Sequence, residues 1–183
     1  MRTVNADVAD SHELDGLRLA IELKPVNLAV GRAIWNRFGD LRAFAVNIHL
    51  KFPFCVVGGV LTVPTKDLIG TKAAHDAEEI EGQIEDGEIP IVESSGPSAQ
   101  AIGSALRFQP TEHLIKKAIE RLKRSGGREN EAGAAHHLEA IAVVAYDPET
   151  ATIDKSLPGL GSGLSWQEFL DQLARMYSLR FEK

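Results

Sequence analysis

The chain has 183 residues, is 44% hydrophobic and 25% charged, and carries a formal net charge of -6, which describes one globular domain spanning residues 1–183 with a core of its own. Its longest apolar run, Phe54 to Val63, is broken by Gly58 and Gly59 and is too short to cross a bilayer. Met1-Arg2-Thr3-Val4-Asn5 lacks the apolar stretch of a secretion signal. The lone cysteine, Cys55, excludes an internal disulfide and reads as a packing residue, so a reducing, cytoplasmic setting is expected.

In chain order, residues 3–9 and 17–24 read as strands. Asp15-Gly16 between them predicts a two-residue hairpin turn, because both turn positions favour positive φ. Pro25 ends the second strand. Apolar residues at Ile34, Phe38, Leu41, Ala45, Ile48 and Phe52 predict a helix over roughly 27–50, closed by Pro53. Residues 54–63 read as a buried strand.

From 65 to 109 the pattern loses its period and reads as an excursion from the core. It holds an acidic helical candidate at 72–85 and the short apolar Ile89-Pro90-Ile91-Val92. Pro110 then opens an amphipathic helix with Leu114, Ile115, Ala118, Ile119 and Leu122 on one face, stopped by Ser125-Gly126-Gly127. Residues 138–146 form a second core strand. Ser165 and Glu168 have capping-box spacing, with Leu164 and Phe169 placed as a hydrophobic staple, and Phe169, Leu170, Leu173 and Tyr177 mark the buried face of a final helix. The order of hairpin, helix, strand, excursion, helix, strand, helix predicts an α/β fold: a mixed sheet flanked by helices.

Charge is segregated along the chain. Seven basic residues against two acidic ones fall between Arg107 and Arg128, whereas Asp76 to Glu88 holds seven acids and no Lys or Arg. The acidic total disfavours a polyanionic partner, but this distribution permits one basic face.

The residues that suggest chemistry lie in the hairpin. Hydrolysis of a phosphodiester needs a positioned water and neutralisation of charge at phosphorus, which oxygen-bound divalent cations and a nearby lysine supply. Glu22 and Lys24 are two apart on a strand and leave the same face. A two-residue turn pairs residue 9 with 22 and residue 7 with 24, which adds Asp7 to that face and points Asp10 away. A three-residue turn or a bulge would exchange the two aspartates. The main-chain carbonyl of Leu23 is a further oxygen ligand. On the following helix Arg32, Asn36 and Asp40 share a stripe, with Arg37 at its edge.

Elsewhere, Trp35 and Trp166 read as core residues. His136-His137 would diverge on a strand, and the Gly159, Gly161, Gly163 loop lacks the lysine and spacing of a phosphate loop.

The hairpin, helix and strand together resemble the PD-(D/E)XK nuclease superfamily, with Ala6-Asp7-Val8-Ala9 and Glu22-Leu23-Lys24 standing for its two motifs. A closer resemblance is to type II restriction endonucleases, through Asn36-Arg37, Asp40 and the strand from Phe54 to Val63. The run from Leu114 to Arg124, then Arg128, Glu131 and Leu138 to Pro148, is similar to their C-terminal half. Pro25 stands where that group often has Ser, and the superfamily's helix before the Asp motif has no counterpart here.

The resemblance implies a sequence-specific, Mg²⁺-dependent endonuclease acting on double-stranded DNA as a homodimer that matches a palindromic site. Asp7, Glu22 and Lys24 would be catalytic, with Asp7, Glu22 and Leu23 as metal ligands. Arg32, Asn36, Arg37, Lys116, Lys117, Arg121 and Lys123 would contact DNA. A repair or junction-resolving nuclease, or a non-cleaving DNA-binding or scaffold subunit, are the alternatives.

Overall fold

The computed structural model describes residues 5–14, 16–27, 29–69 and 107–182. It is an α/β fold in which strands β1 (Val8–His12), β2 (Gly16–Pro25), β3 (Val56–Pro64), β6 (Ala140–Asp147) and β7 (Thr152–Ile153) form one mixed sheet in the order β1-β2-β3-β6-β7. The central strands β2, β3 and β6 are parallel, and the outer strands β1 and β7 are antiparallel to their neighbours. Helix α1 (Val30–His49) joins β2 to β3. A two-stranded ribbon of β4 (Lys66–Ile69) and β5 (Arg107–Pro110) bounds the predicted excursion. The acidic helix at 72–85 and the apolar Ile89–Val92 lie outside the described residues.

Helix α2 (Glu112–Leu122) runs into a single 3-10 turn, Lys123–Ser125, before β6, and α3 (Trp166–Phe181) closes the fold.

Alternation along the parallel strands assigns each helix to a face. Ala20, Val57, Leu61, Val63, Ile141, Val143 and Ala145 join one cluster with Ile34, Phe44 and Ala45 of α1 and Ile115 and Leu122 of α2. Val56, Val60, Ala140 and Ala142 pack on the other side against Phe169, Leu173 and Met176 of α3. Sheets with parallel strands need cover on both faces, and three helices supply it. The double glycine of β3 is part of this packing. A Cβ at Gly58 would lie 3.0 Å from the ring of Phe169, and one at Gly59 would lie 2.8 Å from Leu138, so the helix and loop approach the backbone where a side chain would stand.

Several expectations shift by a few residues. Helix α1 starts at Val30, not at 27, because Ala29 adopts a left-handed conformation (φ 50°) and offers no side-chain cap. The buried Asp67 of β4 supplies the cap instead, accepting the Val30 N–H at 2.7 Å. Pro110 belongs to β5, and Thr111 is the N-cap of α2. The capping box at Ser165 and Glu168 is present with both of its hydrogen bonds.

Leu170 and Trp166 are corrections. Leu170 is 41% exposed and Trp166 51% exposed, the latter stacked on Phe169 at the open first turn of α3, and Met176 fills the buried position instead. Nor are His136 and His137 on a strand. They lie in the connection before β6, with their rings edge to face at 4.5 Å. The glycine-rich stretch before α3 closes around a carboxylate. Glu168 accepts from Gly161 N, Gly163 N, and the main chain and hydroxyl of Ser165. The Ser165 hydroxyl and then those N–H groups outweigh burial and hold its carboxyl down at about 2.

Candidate active site

The hairpin departs from its expected geometry twice, and the departures cancel. His12 pairs with Gly16, so three residues separate the strands instead of two. Gly16, at φ 70°, takes the left-handed conformation that closes such a loop. A three-residue loop alone would turn Asp10 towards Glu22 and Asp7 away. However, the register slips between Asp10↔Leu19 and Ser11↔Leu17, leaving Arg18 as the extra residue of a bulge in β2. Beyond the bulge Val8 faces Ile21, at the expected parity but two residues out of the expected register, and the ladder ends there, one residue short of Asp7.

Asp7 stands where β1 leaves the ladder. Its N–H reaches the Ile21 carbonyl at 2.9 Å, and its carboxylate Oδ2 accepts the Leu23 N–H at 2.6 Å. The side chain thus takes the place of a main-chain acceptor beside β2 and is fixed by it. Glu22 and Lys24 form an ion pair through Oε1 and Nζ, with side chains 12% and 24% exposed. They share the face of Ala20, which α1 covers. Gly59 is aligned with Glu22 in β3, and Leu41 of α1 comes within 3.2 Å of where its Cβ would be. Asp10 is held elsewhere. Its carboxylate accepts the Tyr177 hydroxyl of α3 at 2.7 Å, on the opposite face of the sheet.

The basic candidates gather in the α1–α2 layer, on the side to which Glu22 and Lys24 point. The helices touch where Gly31 meets Leu114 and where the Arg121 guanidinium lies over the Trp35 ring at 4.9 Å. Arg32, Asn36, Lys117 and Lys123 are exposed. Arg37 pairs with Asp40 at 3.0 Å, and Lys116 with Glu112 at 2.6 Å. Exposed pairs of this kind are worth little and are readily exchanged for another anion. Helices α1 and α2 are thus neighbours, and each carries exposed basic side chains.

Among the described residues there is no group of three or more His, Cys, Asp or Glu placed to hold a metal ion. The donors at the hairpin are two carboxylates and a main-chain carbonyl, an all-oxygen set suited to a hard divalent cation.

Sequence reasoning missed a buried charge cluster at the other end of the parallel strands. The carboxylate of Glu139, fully buried, accepts from Arg128 Nη1 at 2.9 Å, Arg180 Nη2 at 2.8 Å, Val57 N at 2.8 Å and His49 Nε2 at 3.2 Å. Arg128, placed by resemblance in the C-terminal half of a nuclease, works here as a core ion-pair partner that also reaches the carbonyls of Pro53 and Glu131. A signal did exist: Glu139 sits in the apolar run Leu138–Val144, and His49 follows Ile48 on the buried face of α1.

No family model, curated protein or solved structure matches this chain. Among the described residues, no helix is long and apolar enough to cross a membrane.

Proposed function

We propose that this protein is a Mg²⁺-dependent endonuclease of the PD-(D/E)XK kind that hydrolyses phosphodiester bonds in double-stranded DNA, as a homodimeric restriction-type enzyme. The observation that supports this reading most is the hairpin itself. The Asp7 carboxylate bonds to the main chain of Leu23, between Glu22 and Lys24, which pair with each other, while Asp10 is bonded to Tyr177 of α3.

Asp7 and Glu22, with the Leu23 carbonyl, would hold the cation, which when bound supplies charge neutralisation at phosphorus and a more acidic water. The chain's own residues do the rest. The Leu23 N–H donates to Oδ2 of Asp7 and orients the carboxylate, whose other oxygen would serve the cation. Lys24, held beside Glu22, donates to the phosphate oxygens as negative charge grows on them in the transition state. The exposed bases of α1 and α2 take up flanking phosphates.

Supercoiled plasmid is expected to be cut in Mg²⁺ or Mn²⁺, with Ca²⁺ supporting binding but not turnover, and EDTA is expected to stop the reaction. Undiminished cutting in chelator would sink the two-carboxylate mechanism. The basic surface has its own test. Replacing Lys116 and Lys117 with Ala should weaken binding to all sequences and flatten its salt dependence by about one unit of slope per lost phosphate contact. An unchanged slope would remove α2 from the interface.

A further inference from the structure

The outer edge of β6 is closed along most of its length. β7 pairs with Tyr146 and Asp147, Asp154 N donates to Ala145 O at 2.9 Å, and Val143 N donates to Leu164 O at 3.0 Å. At the other end Leu138 N donates to Ser125 O, and Leu138 O accepts Arg128 N. Along a strand, alternate residues turn their main-chain N–H and C=O to the same edge. Val143 and Ala145 turn theirs away from β3, and Ile141 shares their parity. The alternation begins with the strand at Ala140, since the chain still bends at Glu139, whose N–H turns inward to Val57 O. Among the described residues no segment pairs with Ile141 on the outer side. One rung of the edge is open.

A cavity of about 310 Å³ lies against that rung, at the lower end of the roughly 300–1,000 Å³ of ligand pockets. Lys123, Gly126 and Gly127 line it from the 3-10 turn and the residues after it, and Gly163, Leu164 and Phe169 line it from the start of α3. A Cβ at Gly127 or at Gly163 would meet nothing within 4 Å, so both stand beside open space. Two carboxylates border the cavity, and both are already engaged. Glu139 accepts from Arg128, Arg180 and the Val57 N–H, and Glu168 from Gly161 N, Gly163 N and Ser165. Lys123 is exposed, and no carboxylate among the described residues pairs with it.

We propose that this gap docks the C-terminus of a partner polypeptide that ends in an aliphatic residue. The last residue of the partner adds one rung to the β6 edge at Ile141, in the manner of strand addition. Its side chain lies against Leu164 and Phe169, and its carboxylate meets Lys123 beside the two glycines, where no side chain intervenes. A strand that ran on would find both neighbouring rungs taken, by Leu164 at Val143 and by Ser125 and Arg128 at Leu138. A one-rung gap therefore admits a chain end, and the unpaired cation selects the end that carries the carboxylate. The inference does not rest on the hairpin chemistry, although Lys123 is also among the residues that resemblance assigns to DNA.

Amide NMR of the full chain, titrated with acetyl-Gly-Gly-Leu bearing a free carboxylate and with the same peptide as its C-terminal amide, tests this. The signals of Ile141 and Gly126 are expected to move saturably with the acid, and the amide should bind about tenfold more weakly, the effect of losing a charge-assisted hydrogen bond. Lys123→Gln, an exposed substitution, should remove that preference, whereas Lys117→Gln, which does not line the cavity, should keep it. An Ile141 signal unmoved by millimolar peptide, or equal binding of acid and amide, overturns the proposal. So does a preference that survives Lys123→Gln or is lost equally in Lys117→Gln.

Discussion

Glu139→Ala is expected to lower the folding stability of this protein by about 3–5 kcal/mol, because it leaves two guanidiniums buried without their counter-charge. Arg128 and Arg180 have side chains only 2% and 8% exposed, so water cannot replace the carboxylate. A loss of that size is a large part of the roughly 5–15 kcal/mol that holds a typical domain folded. The same carboxylate ties together α1 through His49, β3 through the Val57 N–H, and α3 through Arg180, so the variant loses contacts in three elements at once.

The acid limb of stability carries the same signature. Burial alone would raise the pKa of Glu139, but the bond and charge of His49, then the Val57 N–H and Arg180, outweigh it and leave the carboxyl below its ordinary value. A carboxyl whose folded pKa lies below its unfolded one stabilises the fold above the unfolded value, about 4.3 for glutamate, and that stabilisation is lost as pH falls through the folded pKa. Urea unfolding of Glu139→Gln, which keeps the shape and an acceptor, should therefore show a shallower decline of stability below about pH 4 than the parent chain. A cost under about 1 kcal/mol for Glu139→Ala, together with an unchanged acid slope in Glu139→Gln, would reduce the cluster to packing.

Most of the frame was legible because it rests on strong local periodicity. The strands at β2, β3 and β6 and the helices α1, α2 and α3 were each marked by apolar period and by caps such as Ser165 with Glu168. What was not legible depends on contacts between distant residues. Asp67 caps a helix that begins 37 positions earlier in the chain; the sequence around Ala29 shows only that no local cap exists. Glu139 was hidden for a similar reason: its partners His49, Arg128 and Arg180 come from three separate stretches, and only the fold sums them.

The hairpin shows a subtler limit. Counting a two-residue turn puts Asp7 on the face of Glu22, whereas the strands pair through a three-residue connection and a bulge at Arg18 and keep the expected parity as far as Val8. Parity survives paired errors, but register does not, and Val8 faces Ile21, two residues from where the count puts it. The same strand order also explains why a charged pair stands on an otherwise apolar face. Glu22 and Lys24 lie on β2 next to the outer strand β1, where cover by α1 is incomplete and both side chains keep some exposure.

Single-turnover cleavage of one plasmid by three variants separates the roles in the hairpin. Lys24→Ala should reduce the rate by about 10²–10³-fold while leaving DNA affinity nearly intact, since a contact made to developing charge contributes to the transition state more than to the ground state. Asp7→Asn should be at least as damaging, and it should fold normally. The asparagine carbonyl can still accept the Leu23 N–H that Asp7 now accepts at 2.6 Å, so the shape of the hairpin is kept and only the charge proposed to hold the metal is removed. Asp10→Asn should cut close to the parent rate, because its oxygen serves Tyr177 on the far side of the sheet, 2.7 Å from the hydroxyl. Added Mg²⁺ sharpens the comparison: higher concentrations should partly restore a variant that has lost a ligand, but not one that has lost Lys24. If Asp10→Asn is dead and Asp7→Asn cuts, the metal belongs to the α3 face and the parity set by Arg18 has been assigned to the wrong carboxylate.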